Sequence, residues 1–141
     1  MRITRPPISF EDERGTITDI LQDVAINSVT YIVSKKGSRR GDHYHKETTQ
    51  WMYILTGSLG LSVNSGSSGC GVDICPGDLV CISPGEWHTI IANVDSTFIV
   101  FTSGPRAGTE YESDTVHISE VWREYIESIL VKEEEYAVAP C

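Results

Sequence analysis

The chain has 141 residues, with 20 Asp and Glu against 11 Lys and Arg and a formal net charge of −9. That length suits one domain with a proper core, and the acidic balance excludes general affinity for nucleic acid or anionic lipid. No apolar run approaches the length that a membrane span requires. The first residues, MRITRPPISF, lack the apolar centre of a signal peptide, so a cytoplasmic location is expected. Cys70, Cys75, Cys81 and Cys141 do not form a metal-ligand spacing and are read as free thiols, mostly buried.

In chain order, residues 1 to 15 read as an extended lead-in that turns at Gly15. Thr16 to Leu21 and Ser28 to Val33 are β-branched and read as strands. A basic loop follows, then a strand carrying His43-Tyr44-His45 and a longer one from Thr49 to Leu55. Ser58 to Val63 alternates strictly, with Leu59, Leu61 and Val63 on one side. NSGSSG then makes a polar hairpin turn before a short strand at Gly71 to Ile74. Pro76-Gly77 suits a type II turn, and Leu79 to Ile82, Trp87 to Ala92 and Thr97 to Thr102 give three more strands. Many short strands in succession, with no helix before the end, predict a closed barrel or jelly roll. Ser119 is placed to cap a helix over about 119 to 131, where Val121, Trp122, Tyr125, Ile126, Ile129 and Leu130 recur at helical spacing.

Chemistry concentrates between Gly37 and Gly57. His43 and His45 stand two apart in a strand, so both imidazoles share one face. In the next strand Gln50, Met52 and Ile54 share one face and Trp51, Tyr53 and Leu55 the other, which predicts an apolar strand covered on both sides. Five of the 11 cationic residues, Lys35, Lys36, Arg39, Arg40 and Lys46, flank the histidine pair. Such a cluster is either a solvated basic loop or a cradle for a phosphorylated ligand.

These residues carry a resemblance. The block resembles the first cupin motif: Gly37, five residues, His43, one residue, His45, four residues, Gln50 where Glu is usual, six residues, Gly57. Gly77, Pro84, Gly85 and His88 resemble the second cupin motif, with Ser83 where proline is expected and the asparagine displaced to Asn93. The resemblance implies an all-β cupin jelly-roll barrel over residues 1 to 141, with its two motifs at 37–57 and 77–93, to which the short C-terminal helix is added. FEDERGTITDIL, TYIVSKKG and RGDHYHK with a downstream Gln are similar to the sugar-nucleotide 3,4-ketoisomerases of deoxysugar biosynthesis. DERG and RGDHY also resemble the dTDP-4-dehydrorhamnose 3,5-epimerase group.

For metal-binding cupins the match implies a ligand set of His43, His45, Gln50 and His88, suited to Zn, Fe, Ni or Mn. Gln50 replaces a carboxylate by a neutral amide, which lowers the affinity expected for a divalent cation. The ketoisomerase resemblance likewise implies histidines that act as acid and base with no metal, so no required cofactor is the favoured expectation. An unperturbed imidazole titrates near about 6.5, suited to moving a proton beside a ketone. On this reading His43 and His45 are catalytic, and Tyr31, rather than Tyr44, bonds the developing enediolate. Lys36, Arg40 and Arg106 hold a diphosphate, and Trp87 contributes to substrate binding. The function expected is an isomerase or epimerase of a nucleotide-linked 4-keto-6-deoxysugar. The alternatives are a metal-dependent cupin enzyme, dioxygenase-like, and a non-catalytic barrel that binds a sugar or other small ligand. The apolar stripe Trp51, Tyr53 and Leu55, with the C-terminal helix, leads to the expectation of a homodimer.

Overall fold

Strict alternation builds the framework. The computed structural model describes residues 1–64, 69–106 and 108–117. In chain order the elements are β1 (Arg2–Thr4), β2 (Phe10–Asp12), β3 (Gly15–Ile17), β4 (Ser28–Ser34), β5 (Arg39–His45), β6 (Thr49–Thr56), β7 (Leu59–Asn64), β8 (Gly69–Ile74), β9 (Leu79–Ile82), β10 (Trp87–Ala92), β11 (Ser96–Ser103), α1 (Gly108–Asp114) and β12 (Thr115–His117). Two five-stranded antiparallel sheets, ordered β1-β9-β6-β11-β4 and β12-β5-β10-β7-β8, face each other as a jelly-roll barrel, and β2 and β3 form a separate hairpin.

Residues two apart share a face, and β11 follows this without a break: Ser96, Phe98, Val100 and Thr102 are buried while the residues between them are half-exposed. Met52 and Ile54 of β6, Leu59, Leu61 and Val63 of β7, and Ile90 and Ala92 of β10 meet Phe98 and Val100 in one core between the sheets. Fully burying each Leu, Ile or Phe contributes about 1.5–3 kcal/mol. The turn expected at Pro76-Gly77 forms: Gly77 has φ +90°, and the Asp78 N–H donates to the Cys75 carbonyl. A side chain at that φ would be strained.

Four expectations are corrected. The strand expected from Thr16 to Leu21 stops at Ile17, because the Asp19 N–H donates to the Ser9 hydroxyl and leaves the ladder. Among the described residues the outer face of β6 is only partly covered: Trp51 and Tyr53 are half-exposed and Leu55 is exposed. A helix that was not expected, α1, forms at Gly108–Asp114 where the chain was expected to hold none before residue 119. Cys75 is disulfide-bonded and Cys81 is free, where four free thiols were expected. A spacing that excludes a metal says nothing of which sulfurs the fold brings within bonding distance. The helix expected over 119 to 131 lies outside the described residues, as do Cys141 and most of the NSGSSG turn. Among the described residues no helix is long and apolar enough to cross a membrane.

Candidate active site

A bulge sets the site. In the pairing of β10 with β5, His88 lies opposite His43 and Thr89 opposite Gly41, so Asp42 is an extra residue in β5. Gly41 has φ +89° and Asp42 φ +59°. A Cβ on Gly41 would stand 2.7 Å from the His88 carbonyl oxygen, so glycine there lets β5 and β10 close directly beside the histidines. The Asp42 carboxylate is held by Arg39 and by the Thr89 hydroxyl. The bulge also shifts parity upstream: Arg40 falls opposite core residue Ile90, and Arg39 opposite Ile91.

All four histidines of the chain gather here. The His43 ring lies 4.7 Å from His45, 4.8 Å from His88 and 5.7 Å from His117, centroid to centroid. The ring nitrogens of His43, His45 and His88 lie within 4.8 Å of one another. β12 delivers the fourth, because its register on β5 sets Thr115 beside His45 and His117 beside His43.

Hydrogen bonds fix the tautomers. Asp114 Oδ2 lies 3.2 Å from His45 Nδ1, and both side chains are 2% exposed. An ionised carboxylate only accepts, so the His45 proton sits on Nδ1 and its Nε2 keeps a lone pair. Gln50 Nε2 donates to that nitrogen at 2.8 Å. His88 Nδ1–H donates to the Glu86 carbonyl at 3.2 Å, which leaves its Nε2 as a lone pair also. His43 Nε2 is buried with no hydrogen-bond partner, so the bond between His43 and the Gly41 backbone runs through Nδ1. Three neutral imidazoles therefore present Nε2 as an acceptor inside the barrel, that of His45 engaged by the Gln50 amide and that of His43 without a partner.

Electrostatics keep them neutral. Burial, reinforced by repulsion from His88 and His117, lowers the His43 pKa to about 4. Burial and His43 lower His45 to about 4 against the pull of Asp114, and burial and His45 bring His88 to about 4. Burial pushes Asp114 upward, but the Thr48 hydroxyl, the Glu47 N–H and His45 together hold its carboxyl below the usual range. Asp114 is thus ionised and locked to the β5–β6 turn, which Lys46 also ties to the Ser113 carbonyl.

The structure brings together His43, His45, Gln50 and His88, as expected, and Arg106 stands near them, its guanidinium 5.2 Å from the centroid of the Tyr111 ring. That ring is 5.9 Å from His45. Other expected residues are elsewhere. Tyr31 is 62% exposed on the face of β4 opposite Ile32, which packs on the core, so strand parity turns its phenol away from the histidines. Lys36 lies beyond the far end of β5, where Gly37 and Ser38 bond Ala92 and the Lys36 N–H is held by Asp95. Seven residues of extended chain, roughly 20 Å, separate it from His43. Arg40 directs Nε and Nη2 to the Ser34 hydroxyl and the Val33 carbonyl. Trp87 precedes His88 in β10, so it occupies the other face of that strand, 9% exposed.

Sequence reasoning missed Asp114, Thr115, His117 and Tyr111. The available signal was the count of four histidines together with the alternation of Asp-Thr-Val-His after Pro105.

A family model described as "Cupin domain" matches residues 30–103. No curated protein sequence matches the chain. Among solved structures, the chain is similar to QdtA, a sugar 3,4-ketoisomerase from Thermoanaerobacterium thermosaccharolyticum in complex with TDP, with TM-score 0.70, 20% identity and coverage of 90% of this chain and 94% of that one. It is also similar to WlaRA, the TDP-fucose-3,4-ketoisomerase of Campylobacter jejuni, with TM-score 0.72, 17% identity and coverage of 88% and 93%. The dTDP-4-dehydrorhamnose 3,5-epimerase of Sulfolobus tokodaii matches with TM-score 0.66, 22% identity and coverage of 83% and 76%. At these identities the likeness establishes the fold.

Proposed function

The chain belongs to the cupin family, and from that premise we propose that it is an isomerase or epimerase of a nucleotide-linked 4-keto-6-deoxysugar, working by histidine-mediated proton transfer. The observation that carries this reading is His45, held between Asp114 at Nδ1 and the Gln50 amide at Nε2. A neutral imidazole oriented by a buried carboxylate is a general base whose imidazolium the carboxylate then stabilises. His45 takes the proton from the carbon beside the ketone, the electron pair passes to the carbonyl oxygen, and an enediolate forms. The proton then returns to a neighbouring carbon or to the opposite face of the same one. When Nε2 becomes protonated, the Gln50 amide can turn its oxygen toward it, which supports both protonation states with one side chain. His43 stands in contact as the second acid–base group. Tyr111 is the phenol the fold brings to the histidines, and Arg106 is the cation there for a diphosphate. Nucleotide-sugar ligands named for the structural neighbours support the same substrate class.

A second reading has its own observation. The buried, unpaired Nε2 of His43, facing the nitrogens of His45 and His88, fits a transition metal in donor chemistry. A metal held by these three would polarise a substrate carbonyl. Gln50 adds no charge to offset it, so one metal per chain after purification would favour this reading over the first.

Proton NMR in deuterated water with TDP-4-keto-6-deoxyglucose tests the proposal. Exchange or product at C3 supports ketoisomerisation, and exchange at C3 and C5 supports epimerisation. His45→Asn should abolish deuterium incorporation and leave ligand binding nearly intact, because it removes an interaction used in the transition state. No exchange across several nucleotide sugars overturns the proposal in favour of a binding barrel.

A further inference from the structure

The reaction proposed above uses one carboxylate, Asp114, and leaves a second without a role. Asp42 is the extra residue of the β5 bulge, immediately before His43, and its side chain is 15% exposed. Its carboxylate is gripped from two strands. Arg39 of β5 reaches both oxygens through Nε, at 3.0 Å each, and adds a bond from Nη2 to Oδ1 at 2.8 Å. Thr89 of β10, almost fully buried, donates its hydroxyl to Oδ1 at 2.7 Å. Hydrogen bonds to an ionised group are the stronger kind in proteins.

The grip holds an uncommon backbone. Asp42 has φ +59°, a left-handed value that few residues other than glycine adopt. Such a residue persists only where its surroundings over-determine it. Because the peptide unit is planar, the φ of Asp42 and the ψ of Gly41 together fix where the Gly41 carbonyl points. That carbonyl takes the hydrogen bond of the His43 ring, which runs through Nδ1 because Nε2 is buried without a partner.

We propose that Asp42 is the positioning residue of His43: clamped by Arg39 and Thr89, it turns the Gly41 carbonyl onto His43 Nδ1 and so aims the bare Nε2 toward His45 and His88. The chain then orients its two acid–base histidines by different means. Asp114 faces His45 directly, whereas Asp42 acts on His43 through the backbone. Its carboxylate bonds Thr89, which adjoins His88 in β10 and so lies on the other face of that strand. The effect on the rate rests on His43 being the second acid–base group of the reaction proposed above. The effect on the ring does not.

Long-range proton–nitrogen NMR of the histidine rings tests it, together with the rate of deuterium exchange into TDP-4-keto-6-deoxyglucose. In the wild type His43 should carry its proton on Nδ1. Asp42→Gly adopts φ +59° without strain but has no carboxylate to clamp. It should populate the Nε2–H tautomer of His43 and leave the His45 signals, set by Asp114, unchanged. Its kcat should fall by about 10- to 100-fold with KM altered less than about twofold, because a misaimed group affects the transition state more than binding. Asp42→Asn tolerates the same φ and still accepts from the Thr89 hydroxyl, so it should keep the wild-type tautomer and a kcat well above that of Asp42→Gly. Thr89→Val removes one of the two grips and should shift the His43 tautomer in the same direction, which carries the test if Asp42→Gly fails to fold. Should the wild type show no exchange, the reaction falls and the ring signals alone decide the role of Asp42. A wild-type His43 protonated at Nε2, an Asp42→Gly chain with an unaltered His43 tautomer, or one that disturbs His45 as much as His43 would overturn the proposal.

Discussion

The most consequential residue beyond the histidines is Asp114. Its carboxylate takes hydrogen bonds from the Thr48 hydroxyl and the Glu47 N–H as well as facing His45, so one buried charge both anchors a turn and sets a tautomer. Asp114→Asn retains the size but loses the charge and allows an N–H to face Nδ1, which would force the His45 proton onto Nε2. The expected outcome is a fall in kcat of about 10²-fold or more with KM little changed, measured as the initial rate of deuterium exchange. Asp114→Ala should also lower stability by about 2–4 kcal/mol in urea unfolding, because the Thr48 and Glu47 donors are left buried without acceptors. An Asn variant with unchanged kcat would show that His45 does not depend on this carboxylate.

At the scale of elements, three pieces of backbone make the site. The bulge at Gly41 and Asp42 turns β5 so that His43 faces His88. β12 adds an edge strand beside β5 and brings Thr115 and His117 with it. α1 ends at Asp114, whose bonds to the β5–β6 turn fix where that new strand begins. Gly41→Ala tests the first of these. A Cβ at φ +89°, 2.7 Å from the His88 carbonyl oxygen, has nowhere to go without moving β10. The expected cost is about 1–3 kcal/mol in chemical denaturation, together with a loss of activity larger than that of Gly85→Ala, whose Cβ would meet nothing within 4 Å.

For the whole molecule, the histidine cluster couples folding to pH. Each of His43, His45 and His88 has its pKa lowered in the folded state from 6.5 to about 4. Between those values the unfolded chain binds more protons than the folded one, so stability is complete above about 6.5 and falls as pH drops toward 4. The thermal midpoint should fall by roughly 10 °C between pH 7 and pH 5, measured by calorimetry. Replacing His88 by Gln should make this dependence shallower, and an equally steep slope in that variant would show that His88 contributes nothing to it.

Short-range patterns made part of the architecture legible from the residues alone. A period of two places His43 with His45, Gln50 with Met52 and Ile54, and Leu59 with Leu61 and Val63, and each set does share a face. Strand spacing and turn chemistry gave the all-β barrel, because alternation and Pro-Gly signals act within a few residues. Tertiary structure alone decided which distant side chains complete the site. Asp114 and His117 reach the histidines through a pairing between segments about seventy residues apart in the chain, and no local pattern encodes that register. The single-residue bulge at Asp42 likewise reversed the faces of Arg39 and Arg40, and the far end of β5 carried Lys36 away from the site. Proximity in sequence gathered the cations around the histidines. Roughly 20 Å of extended strand, with a side chain pointing to alternate faces at every step, can separate neighbours that composition alone would group together.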